Sequence, residues 1–213
     1  MTVLQTLKRR RSVPRFEPDG LLLTRELIEE MIAESCLVPS DFNLQPWRFI
    51  VVRDRERKEI LYDCAYRQEK VRQASAVVIV CGDSKGDARA EEEVASSVRD
   101  GAMTREAADH LVASVCRSYQ GNELARFTLA VREPAFAAMA LMLLATERGI
   151  GSSPIGRFDD EVLRKAFAIP DRYFPVLLVA LGLQALDMPV PARGNRLPPS
   201  VVVFHEGMGD AEP

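Results

Sequence analysis

The stretch from Glu133 to Gly149 constrains this chain more than any other. Its periodicity is helical, with Phe136, Met139, Ala140, Leu143 and Leu144 recurring on the face expected inward, and Gly149 stands where a helix-ending glycine belongs. The other faces give no polar relief, because Ala135, Ala137, Ala138, Leu141 and Met142 make the helix apolar nearly all round. Such a helix must be covered on more than one side. A membrane span is not the answer, since the apolar segment Ala135 to Thr146 is bracketed by Arg132, Glu133, Glu147 and Arg148 and falls short of the ~20 residues a span needs. In a chain of 213 residues the economical arrangement is a central helix that also packs at a subunit interface.

The other periodicities supply its neighbours. Pro175 to Gly182 is a continuous apolar run, the mark of a strand buried on both faces. Arg48 to Val52 and Ala76 to Gly82 read as two further strands, and Val201 to Phe204 as a last one. Helices are expected from Val3, from Thr24 as an N-cap with Leu27, Ile28, Met31 and Ile32 following, and from Asp54 to about Tyr66 with Ile60, Leu61, Cys64 and Ala65 inward. Two more begin at Thr104 and at Asp159 or Asp160. A chain of this length buries about 70% of its unfolded surface, so residues 1–213 are expected to form one domain without disulfides or metals. Within it, 83–126 is a polar, acidic excursion without a motif, and 187–213 is an extended tail carrying Pro189, Pro191, Pro198 and Pro199.

Three polar stretches invite a functional reading. The first, Leu37 to Trp47, joins a helix to a strand; Pro39 and Pro46 break regular structure, and Ser40, Asp41, Asn43 and Gln45 alternate with Phe42, Leu44 and Trp47. That mixture suits a loop lining a flat, partly apolar ligand with polar edges. The second, Arg10-Arg11-Ser12-Val13-Pro14-Arg15-Phe16, reads either as a solvated charge run or as a phosphate site, for which guanidinium forks and a hydroxyl have the right geometry. The third, Gly149 to Phe158, is not a dinucleotide fingerprint: it follows a helix where that turn follows a strand, and Pro154 occupies the place of the third glycine.

Several chemistries are excluded or disfavoured. His110 and His205 are the only histidines and have no metal or triad spacing, and there is no Walker-type phosphate loop or nucleophile elbow. A net charge of −3 argues against nucleic acid as a partner despite Lys8 to Arg11. The dispersed Cys36, Cys64, Cys81 and Cys116 read as reduced thiols of a cytoplasmic protein, and the charged N-terminal segment is not a signal peptide. A chain so poor in acid–base groups suits a reaction in which a cofactor supplies the chemistry.

The phrase Pro39-Ser40-Asp41-Phe42-Asn43-Leu44-Gln45-Pro46-Trp47 resembles the PSxxNxQPW signature of the nitroreductase superfamily, and the other patches follow in family order over about residues 3–205. The resemblance implies an α+β fold, a mixed and mostly antiparallel sheet of four or five strands flanked by helices, with a long buried helix at a dimer interface. It implies a homodimer holding two FMN molecules at that interface, reduced by NADH or NADPH in a ping-pong cycle and reoxidised by a small electron-poor acceptor such as a nitroaromatic or quinone. Carried over residue by residue, it implies that Arg10, Arg11, Ser12 and Arg196 of one subunit bind the phosphate side, with Arg193 a further candidate. Pro39, Ser40, Asp41, Asn43 and Gln45 come from the flavin-facing loop, with Pro39, Ser40 and Asn43 contributed by the other subunit. Lys70, and less directly Arg67, lie at the ring's pyrimidine edge, and Pro154, Ile155 and Gly156 stand where the backbone approaches N5. Pro14 stands where many relatives carry a basic residue, and the sequence leaves open whether Arg15 replaces it. The 83–126 excursion corresponds to the lid over the flavin, with Tyr119 and Phe127 as candidate aromatic covers that read equally well as ordinary helix-packing residues. A specialised dehalogenating, flavin-fragmenting or enone-reducing relative, and a flavin-binding protein without turnover, are the alternatives.

Overall fold

The apolar helix runs further than its sequence suggests. In the computed structural model, which describes residues 1–18, 20 and 23–208, helix α7 spans Glu123–Glu147, capped by Asn122 and including Pro134. A glutamate and a proline at 133–134 look like a helix start, because proline fits the first helical turn; the chain instead carries them mid-helix. Pro134 has no N–H for the carbonyl of Ala130. That carbonyl points at Gly82, where an added Cβ would lie 1.5 Å from the oxygen, so glycine lets the helix pass directly over the strand below.

The face expected inward is corrected by the structure. Ala137, Ala138, Leu141, Met142 and Ala145 are the buried residues, whereas Phe136 remains 45% exposed and Met139, Ala140, Leu143 and Leu144 are half-buried. Small residues let the helix sit close on the sheet; the bulkier apolar row faces outward. By length and hydropathy, 1.5 over its most apolar 18 residues, α7 could cross a membrane, which the shorter expected segment could not. Here it is a core helix, packed on the sheet and on helix α2, Arg25–Ser35.

Four strands form the sheet: β1 Trp47–Val52, β2 Ala76–Asp83, β3 Gly151–Ile155 and β4 Tyr173–Gly182, in the order β1-β2-β4-β3. Every neighbouring pair is antiparallel. The parallel component is a single bridge between Ser12 and Ser152. Side chains alternate across β2 as a doubly covered strand requires. Val77, Ile79 and Cys81 face helices α3, Arg55–Cys64, and α8, Asp160–Ala166, while Ala76, Val78 and Val80 face α2 and α7.

The expected N-caps are present. Thr24, Asp54 and Asp159 each accept from the backbone N–H three residues on, as does Thr104 at the start of α6, Arg105–Tyr119. Ile60, expected inward, is exposed on α3. The short helices α1, Val3–Arg9, α4, Glu69–Gln73, and α5, Ala90–Arg99, complete the frame. The strand expected at Val201 to Phe204 is absent; Pro199–Val202 forms one helical turn, α9, and Val201 to Phe204 are all exposed. A strand is stable only beside an edge that satisfies its backbone groups, and this segment has no ladder partner among the described residues.

At the far end of β2, Asp83 is fully buried. Arg172 grips both carboxylate oxygens at 2.6 Å, with Arg48 at 3.6 Å. Removing one partner of a buried pair strands the other charge. Arg172→Met is therefore expected to destabilise by at least about 3 kcal/mol, read as a Tm lower by roughly 10 °C, and the double variant with Asp83→Asn by less. Equal losses in the single and double variants would contradict this.

Candidate active site

The candidate residues fall into two groups, and edge strand β3 organises the first. Ser12 bridges to Ser152, and Val13 N donates to Ser152 O at 2.9 Å, which lays the segment after α1 along the start of the strand. Arg10 ends α1, its N–H donating to Thr6 O. The tail closes over this point: Arg193 donates to the carbonyls of Leu7, Lys8 and Arg10, the helix's unpaired C-terminal acceptors, and Arg11 donates to Pro191 O. Among the described residues Arg196 bonds only the carbonyls of Gly194 and Asn195.

Arg10, Arg11, Arg193 and Arg196 therefore gather in one place, and among the described residues no carboxylate pairs with any of them. The pKa of Arg10 is lowered, first by burial and then by repulsion from Arg193, Arg11 and Arg196. Its Nη1 is buried without an acceptor among the described residues, and the hydroxyl of Ser152 is likewise buried without a partner among them. A cavity of about 310 Å³ lined by Arg10, Arg11, Val13, Ser152 and Gln184 adjoins them. Orphaned donors amid like charges mark a place prepared for an anion with several acceptor oxygens, and a phosphate fits. Arg15, next to Pro14, pairs with Asp187 at 2.9 Å.

Further along β3, Lys70 Nζ donates to Ser153 Oγ at 3.1 Å. Burial lowers its pKa, and among the described residues it has no carboxylate partner. Pro154 is tolerated because the outer side of β3 is a free edge. Ile155 ends the strand, and Gly156 beyond it is exposed, with nothing within 4 Å of an added Cβ. The chain's own packing does not demand glycine there. Gln68 Nε2 donates to Arg157 O at 3.1 Å, tying the segment before α4 to this turn, while Arg67 pairs with Asp63 at the surface.

The second group is the loop before β1. Ser40 Oγ accepts from Gln45 N at 3.1 Å around a 3₁₀ turn, Asp41–Asn43. Phe42, Asn43 and Gln45 have φ of 52°, 56° and 47°. Left-handed backbone in non-glycine residues costs roughly 1–3 kcal/mol each and persists only where surroundings impose it. The Asp41 carboxylate, expected at the flavin, accepts from Tyr119 and pairs with Arg132, and Asn43 donates to Glu93. Pro39 is exposed. Of the two expected aromatic covers, Tyr119 is buried beneath this loop and Phe127 is half-exposed, edge-on to Phe174.

The two groups occupy opposite corners of the sheet. The loop enters β1, one edge, at the end where Trp47 faces Gly82 and Asp83 faces Tyr173. The basic cluster sits at the start of β3, the other edge, where Gly151 faces Gly182. Three interstrand steps of roughly 4.8 Å and most of a strand's length separate them, and no movement short of unfolding the sheet joins them within one chain. Sequence reasoning missed Ser152, Ser153 and Gln68. Two consecutive serines inside an apolar strand, on an edge, were the available signal for the first two.

The model of the nitroreductase family matches residues 7–183. YodC of Bacillus subtilis, named as a candidate NAD(P)H nitroreductase, is 35% identical over 200 residues, 93% of this chain and 96% of that protein. The crystal structure of YdfN, a candidate nitroreductase of Bacillus subtilis, superposes with a TM-score of 0.89 at 30% identity, covering 95% of this chain and 97% of that one. A candidate nitroreductase of Exiguobacterium sibiricum, solved in complex with FMN, gives 0.88 at 28% identity, covering 97% and 98%.

Proposed function

Because the chain belongs to the nitroreductase family, we propose that it is an FMN-dependent NAD(P)H oxidoreductase working as a cytoplasmic homodimer, with a flavin in each of two interfacial sites. The chemistry that FMN supplies when bound is acceptance of hydride from NADH or NADPH and its delivery, in a ping-pong cycle, to an electron-poor acceptor such as a nitroaromatic or quinone. The observation that carries this reading is the edge of β3. A guanidinium cluster at its start that no carboxylate of the described residues pairs, a half-buried lysine at its middle and an open glycine past its end are strung in the order that phosphate, pyrimidine edge and N5 of one FMN require.

The residues have distinct tasks. Arg10, Arg11, Arg196 and Ser12 neutralise and orient the phosphate, with Arg193 holding the tail over α1. Lys70 offers positive charge where negative charge develops at the ring. Gly156 leaves space over the reacting face, and a backbone N–H of Gly156 or Arg157 would meet N5. The loop residues Pro39, Ser40, Asn43 and Gln45, too distant in the same chain, come from the partner subunit. The outward apolar row of α7, with Phe136 exposed and Leu143 and Leu144 half-buried, supports an interface along that helix.

The test is an absorption spectrum of the purified protein from about 300 to 550 nm, before and after anaerobic NADH or NADPH. A flavin band that bleaches is expected; a band that persists would remove the redox reading, and no band after FMN is supplied would remove the cofactor. Within that experiment, Lys70→Met is expected to keep FMN bound while slowing bleaching at least about tenfold, measured by anaerobic stopped flow. An unchanged rate would release Lys70 from its role at the ring.

A further inference from the structure

The excursion between β2 and α7 meets the left-handed loop through a few polar contacts. Tyr119, at the end of α6, is buried and donates its hydroxyl to Asp41 Oδ2 at 2.6 Å. Its ring stands edge-on to Phe42, centroids 6.3 Å apart and planes at 88°. Arg132 of α7 pairs with the same Oδ2 and, at 2.8 Å, with Glu133. Glu133, itself buried, accepts from the Asp41 backbone N–H at 3.3 Å. Asn43 donates to Glu93 of α5. The polar anchors that leave this 3₁₀ turn for other elements thus end on helices α5, α6 and α7.

We propose that Tyr119 is a positioning residue for the flavin site: through Asp41, and together with Arg132 and Glu133, it holds Phe42, Asn43 and Gln45 in the left-handed form in which their loop meets the flavin. The proposal rests on the flavin reading above and assigns the 83–126 excursion a second task, shaping the loop from behind. Three strained residues within four positions, Phe42, Asn43 and Gln45, relax once their anchors are loosened, and Asp41 is the residue on which hydroxyl, guanidinium and carboxylate converge. Burial and the hydrogen bond to Asp41 push the Tyr119 phenol well above its ordinary pKa, so it remains a donor across the working range.

Tyr119→Phe keeps the ring and its contact with Phe42 and deletes only the hydroxyl. Native and variant proteins are titrated with FMN, the visible band of the bound flavin is recorded, and the flavin-free proteins are unfolded in urea. The expected result is an FMN Kd raised about five- to twentyfold, the loss of one hydrogen bond to a charged acceptor, with a shifted flavin band and a urea midpoint close to native. Native affinity and an unshifted band in the variant overturn the proposal, whatever the urea midpoint. Asp41→Asn, which keeps an acceptor for Tyr119 but loses the charge pairing Arg132, carries the same test should Tyr119→Phe not fold, with weaker FMN binding again expected. Native protein that takes up no FMN overturns the flavin reading itself, a distinct result from a native protein and a variant that bind alike.

Discussion

Gly82→Ala is expected to destabilise this protein by more than about 4 kcal/mol, a Tm loss of roughly 8–16 °C for a chain of this size. The added Cβ would stand 1.5 Å from Ala130 O, 2.4 Å from its carbonyl carbon and 2.8 Å from its Cα. All three are backbone atoms of α7, so no side chain can rotate away; the helix must lift off β2 and open the core made by Val78, Val80, Ala138 and Leu141. Pro134 explains why the contact exists, because the carbonyl it leaves without a helical donor is the one directed at Gly82. Gly156→Ala is the control. Nothing lies within 4 Å of its added Cβ, so the flavin-free protein should unfold within about 0.5 kcal/mol of native. Thermal unfolding of both variants checks the pair, and a Gly82→Ala protein as stable as native would contradict the close approach.

Arg10→Ala is expected to weaken FMN binding about a hundredfold. Arg10 is half-buried at the end of α1 with one guanidinium nitrogen lacking an acceptor and three other arginines repelling it. An anion brought to such a place gains charge-assisted hydrogen bonds of about 1.5–3 kcal/mol each and relieves the mutual repulsion. Arg11→Ala and Arg196→Ala, whose side chains already bond backbone carbonyls, should each cost at least tenfold. Fluorescence titration with FMN measures all three; affinity unchanged throughout would remove the phosphate assignment. Because the cluster repels itself, Arg10→Ala should leave the flavin-free protein at least as stable as native, which separates a binding loss from a folding loss.

What could be read from the sequence was mostly local. Thr24, Asp54, Thr104 and Asp159 cap helices through residues three positions on, and such contacts need no knowledge of the fold. The basic phrase, Lys70 and Gly156 were recognisable individually, yet their alignment along β3 depends on strand register and on a bridge between Ser12 and Ser152, far apart in sequence. The face of α7 could not be oriented by periodicity because both faces are apolar; closeness to the sheet selected the alanines. Val201 to Phe204 has the composition of a strand, but composition does not supply a neighbouring edge. The Asp41, Tyr119 and Arg132 network joins three distant segments, and no spacing announces it.

The most direct test of a site shared between subunits is complementation. Arg10→Ala disables one corner of the sheet, and Ser40→Ala with Asn43→Ala disables the other. Each protein alone is expected to turn over NADPH poorly at limiting FMN. Unfolded together and refolded as an equal mixture, half the dimers would be mixed, and each of those would hold one site with both corners native. Activity and bound flavin should then recover to about a quarter of native. A mixture no more active than its two components would contradict an interfacial site and require both halves to act within one chain.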